Sequence, residues 1–141
     1  MTVQWDHAKS TQTNLLGCIG GTQLVELRRI CRDEKISAEI LGKLEYVNPT
    51  GSLKDRIYYE MITQAIERGD LKPGMEILEA STGNAGIACA FVATMLGYPA
   101  TIVLPSGMSQ ERMRLIRAYG AKIVNTPGGE SDVDLSIKKI E

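Results

Sequence analysis

The chain has 141 residues, with 16 Lys or Arg against 17 Asp or Glu, a net charge of −1 and one histidine. That is one domain's worth of sequence, able to bury about two thirds of its unfolded surface, and no basic run marks it as a binder of polyanions. Its longest apolar stretch, Ile87 to Leu96 with Thr94 inside it, falls well short of the roughly 18 residues of a membrane helix. Neither nucleic acid nor membrane is an expected partner, and the chain reads as cytoplasmic.

Residues 1–14 form a polar leader without the apolar centre of a secretory signal. The single histidine, His7, lies in it, which excludes a histidine-based triad or a multi-histidine metal centre. Gln23 to Leu27 is a short strand, and Arg28 to Lys35 is a charged connection. Ala38 to Val47 alternates, with Ile40, Leu44 and Tyr46 on one side and Lys43 and Glu45 on the other, as a half-buried strand does. Asn48-Pro49-Thr50-Gly51 is dense in turn formers. Ser52 with Asp55 three residues on reads as a capping box for a helix that runs to Arg68 and stops at Gly69.

From Met75 the pattern is strand, helix, strand, helix, strand, helix: Met75 to Glu79, Asn84 to Leu96, Ala100 to Leu104, Ser109 to Tyr119, Ala121 to Asn125 and Asp132 to Ile140. Gly97 and Gly120 end the first two of these helices. Strands alternating with helices at this spacing predict an α/β fold, a parallel sheet flanked by helices in three layers. Val133, Ile137 and Ile140 keep an apolar stripe running to Glu141, so the fold is expected to be incomplete at the carboxyl end, as the first part of a larger protein. Cys18, Cys31 and Cys89 show no paired spacing and read as reduced, with Cys89 in a helix that is apolar all round.

Lys54 stands out. On a helical projection it falls between Met61 and Ala65, within an apolar arc that includes Leu53, Ile57, Tyr58, Tyr59, Ile62 and Ile66. Its side chain is expected to leave the helix toward protein, in a first turn whose dipole disfavours a cation by about 0.3–1 kcal/mol. An amine so placed is suited to Schiff-base chemistry once desolvation and neighbouring charge assist. The alternative is a lysine that snorkels along apolar surface to solvent.

A second site lies between the strand ending at Glu79 and the following helix: Ser81-Thr82-Gly83-Asn84-Ala85-Gly86. Ligands of open parallel sheets bind beyond the carboxyl ends of strands. Two hydroxyls, a side-chain amide and free backbone N–H groups at a helix start suit a phosphate or a carboxylate, although an ordinary N-cap turn would have similar composition. Neither the Gly-x-Gly-x-x-Gly spacing nor a P-loop is present.

Together these residues resemble the fold type II pyridoxal-phosphate enzymes, closest to the cysteine synthase and cystathionine β-synthase subgroup. The likeness rests on Ile19-Gly20-Gly21-Thr22, the Asn48 to Arg56 segment around the lysine, the Asn84 loop, and Met108-Ser109-Gln110-Glu111-Arg112 with Gly120-Ala121 beyond. Leu53, where threonine synthases and dehydratases usually have Phe, favours the first subgroup. The resemblance implies a tryptophan-synthase-β-like fold. Residues 15–141 would be the amino-terminal α/β part of a two-domain enzyme, with 19–47 packing on the second domain.

It also implies pyridoxal 5′-phosphate as cofactor, held by Lys54, which would then act as general base at Cα. Asn84 would contact the cofactor ring, and Ser81, Thr82, Gly83, Asn84 and Ala85 would hold the substrate carboxylate. The implied reaction is β-replacement on an activated serine by sulfide or another nucleophile, in a homodimer. Threonine dehydratase, threonine synthase or a diaminopropionate-forming relative are alternatives, as is a non-catalytic truncated paralogue that binds a partner. Ala85 stands where the family usually has Thr, Ser81-Thr82 reverses the usual order, and Gln23 replaces a common Pro, which leaves the substrate open. The glycine-rich phosphate cradle lies later in such enzymes, and Pro127-Gly128-Gly129 is too short and too early to replace it, so this chain alone is expected to be inactive.

Overall fold

The computed structural model describes residues 12–129 and 131–140; His7, most of the polar leader and Glu141 lie outside them. Strand β1 (Leu24–Glu26) pairs antiparallel with β2 (Leu41–Lys43), Val25 opposite Gly42, and the short helix α1 (Arg28–Asp33) lies between them. Strands β3 (Ile77–Ala80), β4 (Ala100–Pro105) and β5 (Lys122–Thr126) form a parallel sheet in that order. Helix α2 (Lys54–Glu67) precedes the sheet. Helices α3 (Asn84–Met95), α4 (Gln110–Ala118) and α5 (Val133–Ile140) follow its strands in turn.

The layered arrangement follows from burial. Every residue of β4 is buried, which requires cover on both faces of the central strand. Ile102 and Leu104 belong to one core with Tyr58 and Ile62 of α2, the run from Ile87 to Ala93 of α3, and Met113 and Ile116 of α4. Helix α5 packs against all three strands, and its fully buried Ser136 shares a hydrogen bond with Thr126 at 2.9 Å. Helix α3 is buried from Gly86 to Ala93 without a polar face, because it lies between the sheet and α2. Phe91 meets Tyr119 edge-on at 5.3 Å. Gly97 and Gly120 follow α3 and α4 at φ +81° and +88°, a conformation that only glycine adopts without steric cost.

Three local expectations are corrected. Arg28 to Lys35 is mostly the helix α1: Arg29 and Asp33, 3.5 Å apart at i and i+4, supply the charge spacing of a helix. Only Leu41–Lys43 of the expected strand from Ala38 to Val47 is extended, and two of its three residues are exposed. The chain then winds into a 3₁₀ turn at Glu45–Val47, because the Glu45 carboxylate is held from three directions. Thr22 Oγ1 donates to it at 3.1 Å, Asn48 Nδ2 at 2.8 Å and Arg56 Nε at 3.0 Å. Lastly, the buried stripe of α2 is Asp55, Tyr58 and Ile62, while Leu53, Ile57 and Met61 are exposed. The helix meets α3 along one edge of its broad apolar arc rather than its centre.

No helix among the described residues is long and apolar enough to cross a membrane. Cys89 is fully buried and Cys18 exposed. Burial and the nearby Glu79 carboxylate push the Cys89 thiol up to about 12, leaving almost no thiolate at neutral pH. Alkylation of the native protein followed by peptide mass spectrometry is expected to label Cys18 and to spare Cys89 until denaturant is added.

Candidate active site

The lysine turn is organised by what lies on either side of Lys54. The Thr50 backbone N–H donates to Asp55 Oδ2 at 2.8 Å, and the Thr50 hydroxyl donates to Asp55 Oδ1. Asp55 is completely buried. An unpartnered carboxylate there would cost several kcal/mol, so this pair folds the Asn48–Gly51 turn back onto α2. The expected capping box therefore takes another form. Ser52 Oγ accepts from the Lys54 amide at 3.2 Å, while Asp55 reaches back past it to Thr50.

A second set of bonds anchors the turn from outside. The Gly20 N–H donates to Asn48 Oδ1 at 2.9 Å, and Arg56 bonds both Glu45 and Thr22. Partial burial works to raise the Glu45 carboxyl, but hydrogen bonds from Arg56, Asn48 and Thr22 together with the Arg56 charge hold it below the usual value. Residues 20–22, the 3₁₀ turn and the lysine helix are thereby joined around one carboxylate.

Lys54 itself is half-buried, and its charge acts on Glu79 near the end of β3. Tyr58, one turn further along α2 and 8% exposed, also faces Glu79. Burial raises the Glu79 carboxyl, and Tyr58 and Lys54 act to lower it. The Tyr58 phenol is raised in turn by its own burial and by Glu79, with a smaller contribution from Cys89. Sequence reasoning missed this group. The i, i+4 spacing of Lys54 and Tyr58 and a lone acid in an apolar strand were its available signals.

The loop after β3 is shaped from within. Ser81 is buried, and its Oγ accepts from Gly83 N at 3.2 Å and Gly86 N at 3.0 Å. Gly86 packs so tightly that an added Cβ would sit 2.9 Å from Ile102 Cγ2. Thr82, Gly83 and Ala85 are half-buried, and Asn84 is exposed. Asn84 and Thr50 line one cleft of about 580 Å³, together with Ser109, Glu111 and Arg112 from the start of α4. The structure thus brings the turn before Lys54 and the helix start at Asn84 to a common opening, beyond the carboxyl end of β3 as open parallel sheets require.

The residue types fit a pyridoxal cofactor at its reactive end, with a half-buried amine following a turn whose Thr50 lines the cleft and a glycine loop at a helix start; of the expected site residues, Asn84 lines that cleft, while Lys54, Ser81, Thr82, Gly83 and Ala85 are not among its lining. The chain offers no phosphate cradle at Pro127-Gly128-Gly129. There the Gly129 N–H donates to Asp132 Oδ2 at 2.7 Å, so a carboxylate already occupies the place an anion would take.

Two outcomes are expected. Replacing Asp55 by Ala leaves the Thr50 donors without a partner, and denaturant titration should show a loss of about 1–3 kcal/mol with slower capture of pyridoxal 5′-phosphate. Glu79 favours its protonated form in the fold. Its contribution to stability is therefore present below the ordinary carboxylate range and is lost as pH rises through the raised value. Glu79→Gln should remove that slope from denaturation midpoints measured across the mildly acidic range.

Comparison with known proteins agrees with this geometry. Residues 15–141 match the family described as pyridoxal-phosphate dependent enzyme. The chain is 47% identical over 124 residues to cysteine synthase of Staphylococcus aureus (strain Mu50 / ATCC 700699), covering 88% of this chain and 39% of that protein. It is 46% identical over 126 residues to cystathionine beta-synthase of Apis mellifera, covering 89% of this chain and 25% of that protein. The crystal structure of O-acetyl serine sulfhydrylase isoform 3 from Entamoeba histolytica superposes with a TM-score of 0.88 at 42% identity, over 99% of this chain and 42% of that one. The chain thus spans about two fifths or less of the length of these relatives. With the lysine turn, the loop and the parallel sheet all in place, it belongs to the pyridoxal-phosphate dependent enzyme family.

Proposed function

We propose that this chain supplies the lysine-bearing part of a cysteine synthase-type enzyme. The reaction is β-replacement, in which O-acetylserine or O-phosphoserine reacts with sulfide to give cysteine. The observation that supports the reading is Lys54, half-buried in the first turn of α2, with its charge acting on Glu79 at the strand that feeds the Ser81–Gly86 loop. Sequence identity of 44–47% to cysteine synthases supports it. The reading places the enzyme in the cytoplasm as a homodimer.

Pyridoxal 5′-phosphate, when bound, supplies the electron sink that stabilises charge at the substrate Cα. Lys54 would hold the cofactor through its Nζ, and the same nitrogen would accept the substrate Cα proton. The Asn84 amide orients the cofactor ring. The Thr82 hydroxyl and the N–H groups at the start of α3 receive the substrate carboxylate, where helix-terminal dipoles favour an anion. Ser81 acts mainly within the loop, since its oxygen already accepts from Gly83 and Gly86. Ala85 brings no hydroxyl, so the carboxylate site relies on backbone donors there.

The test uses the complete polypeptide to which the chain belongs, loaded with cofactor and offered O-acetylserine or O-phosphoserine with sulfide, in parallel with threonine. Cysteine formation is expected, with borohydride reduction and peptide mapping placing the label on Lys54 and Lys54→Ala abolishing both. Threonine deamination without cysteine, or a label on another residue, overturns the reading. The isolated 141-residue chain is expected to give no turnover.

A further inference from the structure

The loop beside the lysine contains a peptide unit held at both ends by hydrogen bonds. The Thr82 carbonyl accepts from Arg112 Nη1 at 3.1 Å, and on the other side of the same peptide the Gly83 N–H donates to Ser81 Oγ at 3.2 Å. Because a peptide is planar, these two bonds fix the orientation of the whole Thr82–Gly83 unit. Packing does not. A Cβ placed on Gly83 would have no atom within 4 Å, so rotation about this glycine meets little steric resistance.

Arg112 comes from a separate element, 30 residues further along the chain. It sits in the first turn of α4, where Ser109 Oγ caps the helix by accepting from the Arg112 N–H at 3.3 Å. The same turn lines the cleft that Thr50 and Asn84 open into. The peptide it holds immediately precedes the start of α3, where the Gly86 N–H is taken by Ser81 Oγ and the Asn84 and Ala85 N–H groups have no earlier helical carbonyl to bond.

We propose that Arg112 is a positioning residue for substrate-carboxylate recognition: by fixing the Thr82–Gly83 peptide from α4, it holds the Thr82 hydroxyl and the N–H groups of Asn84 and Ala85 in place at the helix start where Asn84 lines the cleft. The inference rests on the reading of that loop as the carboxylate site. Its effect is on selection among ligands rather than on the reacting atoms. Arg112 therefore governs how strongly the enzyme prefers an amino acid over the same molecule lacking a carboxylate.

The experiment compares Arg112→Ala, Arg112→Lys and Arg114→Ala in the complete, cofactor-loaded protein; Arg114 is an exposed neighbour on α4. Without substrate, amide hydrogen exchange at Gly83 is expected to speed up by about tenfold in Arg112→Ala, the size of one lost charge-assisted hydrogen bond, and to stay unchanged in Arg114→Ala. With O-acetylserine, KM should rise by about tenfold at nearly constant kcat. Binding of the corresponding carboxylate-free amine, followed through the cofactor absorption, should not change. Arg112→Lys should restore most of both effects.

Unchanged exchange at Gly83 overturns the latch. Faster exchange with equal losses for the amino acid and the amine overturns the role in carboxylate recognition. A wild-type protein that binds the amine as well as the amino acid overturns the loop assignment itself, and the exchange result identifies which of the two failed.

Discussion

The buried bond between Thr50 and Asp55 is the constraint on which the lysine site depends. A carboxylate with no solvent exposure is tolerated because both of its oxygens are engaged by one threonine, through its backbone N–H and its hydroxyl. Asp55 also stands in the first turn of α2, where the helix dipole favours a negative charge. Lys54 is its immediate neighbour. Any movement of the turn against the helix would break these bonds in a water-free place, so the direction in which the lysine leaves the helix is set by the acid beside it.

Around this point polar groups are paired across elements. Arg56 and Glu45 lock the turn to the 3₁₀ segment on the outside, while Lys54 and Tyr58 face Glu79 on the inside. The two sets act at different depths. The outer set is partly exposed and carries well-formed hydrogen bonds, whereas the inner one lies between α2, β3 and α3, where burial dominates the protonation of every acid present.

Much of this was legible in the chain itself. The three βα units were marked by strand runs alternating with helical ones, the first two closed by glycines, and the element limits came within two residues of the observed ones from Ile77 onward. The lysine turn was marked by its density of turn formers, and the Ser81–Gly86 loop by its place after a strand. What could not be read were relations across distance. Ala38 to Val47 has the alternation of a strand, yet Glu45 is drawn out of that geometry by Arg56, Thr22 and Asn48. Asp55 has the spacing of a capping box, yet it bonds Thr50. In each case a polar side chain had more than one option, and the arrangement adopted is the one that gives its carboxylate more hydrogen bonds.

The sequence by itself determined the kind of layer each segment enters, because periodicity and glycine placement depend only on backbone geometry, and it marked Lys54 as a polar group on an apolar arc. The tertiary structure alone decided which edge of α2 is buried, that Tyr58 meets Glu79 within reach of the Lys54 charge, and that Arg112 holds the Thr82 carbonyl from 30 residues away. Those outcomes depend on how α2, α3 and α4 pack over one face of the sheet. Packing is a property of side-chain shapes meeting in space, and no single segment carries that information.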